Sequence, residues 1–117
     1  MTSPDDPLAN ALKALRIEYL NGSPRQVADL RALVERAERG EAGGLDELRR
    51  AFHKLAGSGG SYGFPEVSAR SRAGEIEAKR LLDATAPVSA AGFATLREMV
   101  EAVAGAFVAA GGSATAE

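Results

Sequence analysis

The chain of 117 residues has the length of one domain, and its 14 Lys and Arg residues against 16 Asp and Glu residues give a net charge of −2. This balance argues against a nucleic-acid-binding protein, which normally carries a basic patch. Because the chain has no cysteine and one histidine, disulfides, zinc–thiolate sites, iron–sulfur clusters and multi-histidine metal sites are excluded.

Neither a targeting signal nor a membrane span is indicated by the sequence. The segment Met1–Asp6 lacks the basic and then apolar run of a signal peptide. The longest charge-free run, Ala102–Ala116, is too short and too rich in Ala and Gly to span a bilayer. We therefore expect a cytoplasmic protein that contacts no membrane.

The apolar residues recur every three or four positions, which is the helical period, and no stretch shows the strict alternation of a strand. Caps, prolines and glycines predict five helices: Pro7 to about Leu20 after the cap Asp6, Pro24 to just before Gly40 after the cap Ser23, Leu45 to about Tyr62, Pro65 to about Leu82, and Ser89 to about Ala110. The small, polar residues 111–117 are predicted to be a flexible tail, so the ordered core spans about residues 6–110.

Short connections between consecutive helices make those helices antiparallel neighbours. The predicted fold is therefore all-α: an antiparallel up-down four-helix bundle with the additional N-terminal helix across one end. We expect residues 1–117 to form a single domain and a monomer.

The one histidine is predicted to lie on the outer face of the third helix. The apolar stripe of that helix centres near Phe52 and Leu55. At about 100° per residue, His53 lies roughly 130° from that centre. The side chain should therefore be more than a third exposed to solvent.

Small and basic residues surround this histidine on the helix surface. Residues three or four positions away share its face, and with the next turn they are Arg49, Arg50, Ala56, Gly57 and Gly60. Each glycine inside a helix costs about 0.8–1 kcal/mol relative to alanine, so such a cluster needs an explanation. Gly63 suits a helix end, and Gly59 faces inward, opposite Ser71 and Gly74. Gly57 and Gly60 face outward, and we expect them to let another macromolecule approach closely.

The segment from His53 to Phe64 resembles the phosphoacceptor motif of histidine-containing phosphotransfer (HPt) domains. That motif has a histidine, an apolar residue two positions later, a glycine and small residues from four positions later, and a second glycine ten positions later. The matching residues are Leu55, Gly57, Ser58 and Gly63, followed by Val67 and Ser71 at later motif positions.

The resemblance implies that His53 is phosphorylated on its outer ring nitrogen. HPt domains accept the phosphoryl group from a receiver-domain aspartate and pass it to another receiver, which supplies the metal ion. The implied partners are receiver domains and a hybrid histidine kinase, and no cofactor is expected for this chain. Its length leaves no room for a nucleotide-binding domain, so we expect a phosphotransfer intermediate rather than a self-sufficient enzyme.

The chain departs from the family pattern at the position three residues after the histidine, where a lysine is usual and Ala56 stands here. Arg49 or Arg50 could supply the missing positive charge from the preceding turn. They could equally belong to an ordinary solvated helix face, and the sequence leaves this choice open.

Glu75 is the second candidate for the site, twenty-two residues after His53. In chemotaxis-kinase domains a glutamate at this spacing hydrogen-bonds the inner nitrogen of the histidine, which would leave the outer nitrogen as the nucleophile. The residues alone favour a different interpretation, in which Glu75 is solvated or pairs with Lys79 four residues later.

Two other functions are compatible with the sequence. One is a silent helical interaction module, such as a kinase inhibitor, and the other is a small enzyme that uses His53 as a base with Glu75. For the phosphotransfer function we expect a receiver to dock on Ala56, Gly57 and Gly60, with Leu12 or Tyr19 of the first helix at the rim.

Overall fold

The computed structural model describes residues 6–112, and these residues form five α-helices and no strand. The helices are α1 (Pro7–Asn21), α2 (Ser23–Glu38), α3 (Gly44–Ser61), α4 (Pro65–Asp83) and α5 (Ala90–Ala109). The prediction of an all-α fold is confirmed, and every helix end agrees with its predicted position to within one residue. Of the predicted tail, residues 113–117 lie outside the described part of the chain.

The helices α2 to α5 form the predicted antiparallel bundle. Each packs against its neighbours in the ring α2–α3–α4–α5, so α3 and α5 are diagonal to each other. The apolar stripes of the four helices meet in one core, whose largest fully buried side chains are Phe52, Phe107, Leu30, Leu48 and Leu96. Burial of these stripes stabilises helices that would be marginal in isolation.

Helix α1 is the additional N-terminal helix, and its position differs from the expected one. Its last turns contact the bundle, where Tyr19 stacks on Tyr62 with a centroid distance of 4.4 Å and Arg16 Nε donates to the Tyr62 carbonyl at 2.9 Å. The rest is exposed, including Leu8 and Leu12. The described chain is 57 Å long, whereas the 20 residues of α5 span about 30 Å. Helix α1 therefore extends beyond the bundle instead of lying across its end.

The connection between α1 and α2 also differs from the prediction. Ser23 does not cap α2 but is its first residue, and its buried hydroxyl donates to the Leu20 carbonyl at 2.7 Å. Gly22 alone separates the two helices and has a right-handed backbone conformation. The cap predicted at Asp6 is confirmed, because its carboxylate accepts from the Leu8 N–H at 2.9 Å.

Gly74 of α4 makes room for the ring of Phe52 in the core. A Cβ atom at Gly74 would lie 2.5 Å from Phe52 Cε1, and Phe52 is fully buried. We therefore expect Gly74→Ala to destabilise the fold by about 1–3 kcal/mol through overpacking, despite the better helix propensity of alanine. Urea unfolding measures this change.

The matched control for that substitution is Gly105→Ala in α5, where an added Cβ would have nothing within 4 Å. This variant should be neutral or stabilised by up to about 1 kcal/mol. Equal unfolding free energies for Gly74→Ala and Gly105→Ala would show that the Phe52 ring can move aside without cost.

Every helix among residues 6–112 is too short or too polar to span a bilayer.

Candidate functional site

His53 projects from the middle of α3 into solvent. Its side chain is 72% exposed, whereas the preceding Phe52 is fully buried in the core. The predicted outward orientation is therefore confirmed. Because α3 is held in the bundle by its opposite face, the imidazole is displayed on a rigid element rather than on a loop.

Glu75 of α4 hydrogen-bonds the inner nitrogen of this histidine. The distance between His53 Nδ1 and Glu75 Oε2 is 2.5 Å, and the Glu75 side chain is only 17% exposed. The interpretation of Glu75 as a solvated carboxylate or a partner of Lys79 is wrong, since Lys79 pairs with Asp83 at 2.9 Å. The carboxylate is thus held between the two helices and aimed at the imidazole.

Gly59 lies at a point where α3 and α4 approach each other closely. A Cβ atom at Gly59 would lie 3.0 Å from both Ser68 N and Val67 Cγ1. Gly59 does face inward, as predicted, but it lies opposite Val67 and Ser68 rather than Ser71 and Gly74. The glycine therefore has a packing role that lets the backbones of the two helices come together beside the site.

The hydrogen bond to Glu75 determines which ring nitrogen of His53 can act as a nucleophile. A carboxylate accepts hydrogen bonds, so Nδ1 carries the proton and its N–H group donates a hydrogen bond to Glu75. The tautomer is assigned from this partner. The lone pair of the neutral imidazole is then at Nε2, on the solvent side, where it can attack an electrophile presented by a second molecule.

The two arginines that precede His53 share one carboxylate. Arg49 Nη2 lies 2.9 Å from Asp46 Oδ1, and Arg50 Nη2 lies 2.9 Å from Asp46 Oδ2. Both guanidinium groups are therefore held toward the N-terminal end of α3, and their charge is partly neutralised. The structure does not bring either of them into contact with His53 or Glu75 through any hydrogen bond or ion pair.

Ala56 does not belong to the exposed surface beside His53, and its predicted outward position is wrong. The residue is 3% exposed, and its carbonyl accepts a 2.6 Å hydrogen bond from Ser68 Oγ of α4. By helical periodicity Ala56 lies about 40° from Phe52, on the side of α3 that packs against α4. A docking partner cannot reach this side chain.

Gly57 and Gly60 are exposed, as predicted. An added Cβ at Gly57 would have nothing within 4 Å, and one at Gly60 would make ordinary contact with Ser68 Oγ at 3.5 Å. Neither glycine is required by a neighbouring atom or by a left-handed backbone. Packing therefore does not explain these two glycines, and the space above them is open beside the imidazole.

Comparison with known families identifies the chain. A family model for the Hpt domain matches residues 14–106, which include α2, α3, α4 and most of α5. The chain belongs to the Hpt domain family. Searches of curated proteins and of solved structures found no significant match. Hpt domains carry out histidine phosphotransfer in phosphorelays, where they interact with receiver domains and histidine kinases.

An aromatic cluster that the sequence pattern does not reveal fixes α1 to the Hpt bundle. Tyr19 stacks against Tyr62 and Phe64, and its hydroxyl shares a 2.7 Å hydrogen bond with Ser58 Oγ of α3. Burial raises the pKa of the Tyr19 phenol, more than the bond to Ser58 lowers it. No local pattern could reveal contacts that link residues about forty positions apart.

Within residues 6–112 of this Hpt domain, no group of three or more His, Cys, Asp or Glu side chains is arranged to hold a metal ion.

Proposed function

We propose that His53 accepts a phosphoryl group from the aspartate of one receiver domain, or from a histidine kinase, and passes it to the aspartate of another. The hydrogen bond from Nδ1 to Glu75 carries this proposal, because in the neutral imidazole it leaves the nucleophilic lone pair on Nε2 of an exposed side chain. His53 is the only histidine in the chain.

In the accepting step, the lone pair of His53 Nε2 attacks the phosphorus of the receiver's aspartyl phosphate. The new N–P bond forms as the P–O bond to the aspartate breaks, and that electron pair leaves with the carboxylate. Glu75 retains its hydrogen bond to the Nδ1 proton and opposes the positive charge that develops on the ring. Donation to the next receiver is the reverse of this step.

The exposed surface of α3 that contains His53, Gly57 and Gly60 supports docking of a receiver. A receiver must bring its aspartate within bonding distance of Nε2, and these glycines leave no side chain in its path. Leu12 of α1 is 45% exposed and could contact the same partner at the rim. Arg49 and Arg50 support this surface with positive charge. In this proposal residues 1–117 act as one domain, as a monomer in the cytoplasm.

Incubation with a phosphorylated receiver domain tests the proposal. Phosphate should move to the Hpt chain and be labile to acid and stable to base, as expected for a phosphorus–nitrogen bond. Tandem mass spectrometry should place it on His53. A folded protein that takes up no phosphate from any receiver or kinase would instead be a silent interaction module or inhibitor.

Removal of the Glu75 carboxylate is expected to change the tautomer of His53. In Glu75→Ala the Nδ1 proton loses its acceptor, so the ring ¹⁵N chemical shifts should move toward a mixture of tautomers. Glu75→Gln, whose amide oxygen can still accept, should fall between this variant and the wild type. Phosphoryl transfer should slow by about tenfold in Glu75→Ala, the lower end for a bond to a charged group.

Glu77→Gln is the matched control, because Glu77 has the same 17% exposure on α4 but pairs with Arg80. Its His53 ring shifts should equal those of the wild type. Unchanged ring shifts in Glu75→Ala would contradict the positioning role of Glu75.

A further inference from the structure

Phosphorylation of His53 would create an excess of negative charge beside α4. A phosphoryl group carries about two negative charges near neutral pH, and this one would be attached to the same ring that Glu75 contacts. The single positive charge that the ring gains when Nε2 is phosphorylated does not balance both the phosphoryl group and the Glu75 carboxylate, so a further cation beside the phosphoryl group would stabilise this state. A cation that could bind this group must be close to His53 and free of an acidic partner.

Most cations near His53 already have an acidic partner. Arg49 and Arg50 share Asp46, and Lys79 pairs with Asp83. Lys54 follows His53 directly but lies about 100° around the helix. Its side chain lines the groove between α3 and α2, away from Glu75 and α4.

Arg72 is different from the other cations of α4. Arg70 pairs with Glu66, Lys79 with Asp83 and Arg80 with Glu77. Arg72 is exposed and, among the cationic side chains of the fully described helix α4, is the one without an ion pair or a hydrogen bond. Its guanidinium is therefore free to bind an oxyanion.

The register of α3 and α4 places Arg72 in the row of residues that faces the site. Ser68, Arg72 and Glu75 are spaced by four and three positions, so they share one face of α4. Ser68 at one end of the row bonds the Ala56 carbonyl, and Glu75 at the other end bonds His53. Arg72 therefore lies along the edge of α3 that runs from Ala56 to His53.

We propose that Arg72 binds the phosphoryl group on His53. The inference rests on the proposed phosphotransfer function and adds a specific cation to it. A guanidinium presents paired N–H donors that match two phosphoryl oxygens, so the bound arginine neutralises part of the charge and orients the group. Arg72 thereby stabilises the phosphorylated state and offsets its repulsion from the Glu75 carboxylate.

The first experiment measures the equilibrium distribution of phosphoryl groups between a receiver domain and the Hpt chain. Arg72→Gln should lower the equilibrium constant for phosphorylation of His53 by about fivefold at low salt, as expected for an exposed charge pair. The difference should shrink as ionic strength increases. An equilibrium constant between the free proteins does not depend on contacts made only in their docked complex, so this value separates phosphoryl binding from docking.

The matched control is Arg70→Gln, which removes an arginine two residues away that pairs with Glu66. Its equilibrium constant should equal that of the wild type. A second readout follows the Nε–Hε NMR resonance of Arg72 when the wild-type chain is phosphorylated with phosphoramidate, which needs no receiver. That resonance should shift upon phosphorylation, and the resonance of Arg70 should not.

The outcomes distinguish a failure of the Arg72 proposal from a failure of the proposed phosphotransfer function. If His53 takes up phosphate but Arg72→Gln and Arg70→Gln give the same equilibrium constant, Arg72 does not bind the phosphoryl group and the phosphotransfer function stands. A stationary Arg72 resonance leads to the same conclusion. If the folded wild-type chain takes up phosphate from neither phosphoramidate nor a receiver, the proposed function and the role of Arg72 are both wrong.

Discussion

Replacement of His53 by glutamine is expected to abolish phosphoryl acceptance and to leave the helix bundle folded. The side chain is 72% exposed, and a polar substitution at such a position changes stability by no more than about 0.5 kcal/mol. A glutamine amide has no nucleophilic lone pair on nitrogen. Since the chain has no second histidine, no other imidazole can replace the lost one.

Two measurements check this prediction on the same protein preparation. Urea unfolding should give the wild-type midpoint, and incubation with a phosphorylated receiver should give no acid-labile label. Lys54→Gln controls for loss of a polar surface contact, because Lys54 is the exposed neighbour of His53 on α3, and it should retain the label. Acid-labile phosphate on His53→Gln would refute the assignment of the phosphoacceptor.

The helix ends could be predicted from the sequence because they depend on nearby residues. Pro7, Pro24 and Pro65 occupy the first turns of three helices, where a missing N–H and a fixed φ have no cost. Gly63 ends the turn after α3 with a φ of +86°, a conformation that glycine adopts without strain. Such signals act over a few residues and do not need a packing partner.

The packing between helices was less predictable, as Ala56 and Gly59 show. Both residues lie on the side of α3 that faces α4. Which residues of α4 lie opposite them cannot be predicted from the sequence, because the pattern of one helix does not determine its alignment against another. The spacing of three positions from His53 predicts that Ala56 is exposed. Its smaller angle from Phe52, about 40° by helical periodicity, was the better guide to its burial.

Glu75 shows why the chemistry of the site needed the structure. A local partner, Lys79, was available four residues away, and such helix pairs are worth about 0.2–0.5 kcal/mol. The competing partner, His53, is on another helix, and the bond between them depends on how α3 packs against α4. The spacing along the sequence does not show which of the two partners Glu75 binds. The packing of α3 against α4 shows that it binds His53.

Helix α1 shows that a helical pattern of apolar residues does not by itself determine whether those residues are buried. Leu8, Leu12 and Leu15 follow the helical period, yet all three are at least 45% exposed. Sequence periodicity indicates which residues share a face, but a neighbouring element is needed to cover them. In the described chain the bundle covers only the last turns of α1, through Tyr19 and Leu20.

Gly57→Gln is expected to slow phosphoryl transfer from a receiver by about a hundredfold while the fold becomes no less stable. The new side chain would occupy the open space one turn after His53, where an added Cβ meets nothing within 4 Å. Displacement of a docked reactant by about 1 Å can cost such a factor in rate. Helix propensity favours glutamine over glycine, so the free energy of unfolding should stay equal or rise by up to about 0.5 kcal/mol.

Gly105→Gln provides the matched control, because Gly105 is also an exposed helical glycine with nothing within 4 Å of an added Cβ. It lies on α5, diagonal to α3 in the bundle, and the Gly105→Gln variant should gain similar stability without any loss of transfer.

Phosphoramidate separates access of a receiver from the reactivity of His53, since this small donor should phosphorylate His53 in Gly57→Gln at the wild-type rate. If Gly57→Gln accepts phosphate from a receiver as fast as Gly105→Gln does, the surface above Gly57 is not where the receiver docks. If Gly57→Gln is less stable than Gly105→Gln, the glycine serves packing within the bundle instead of access to the histidine.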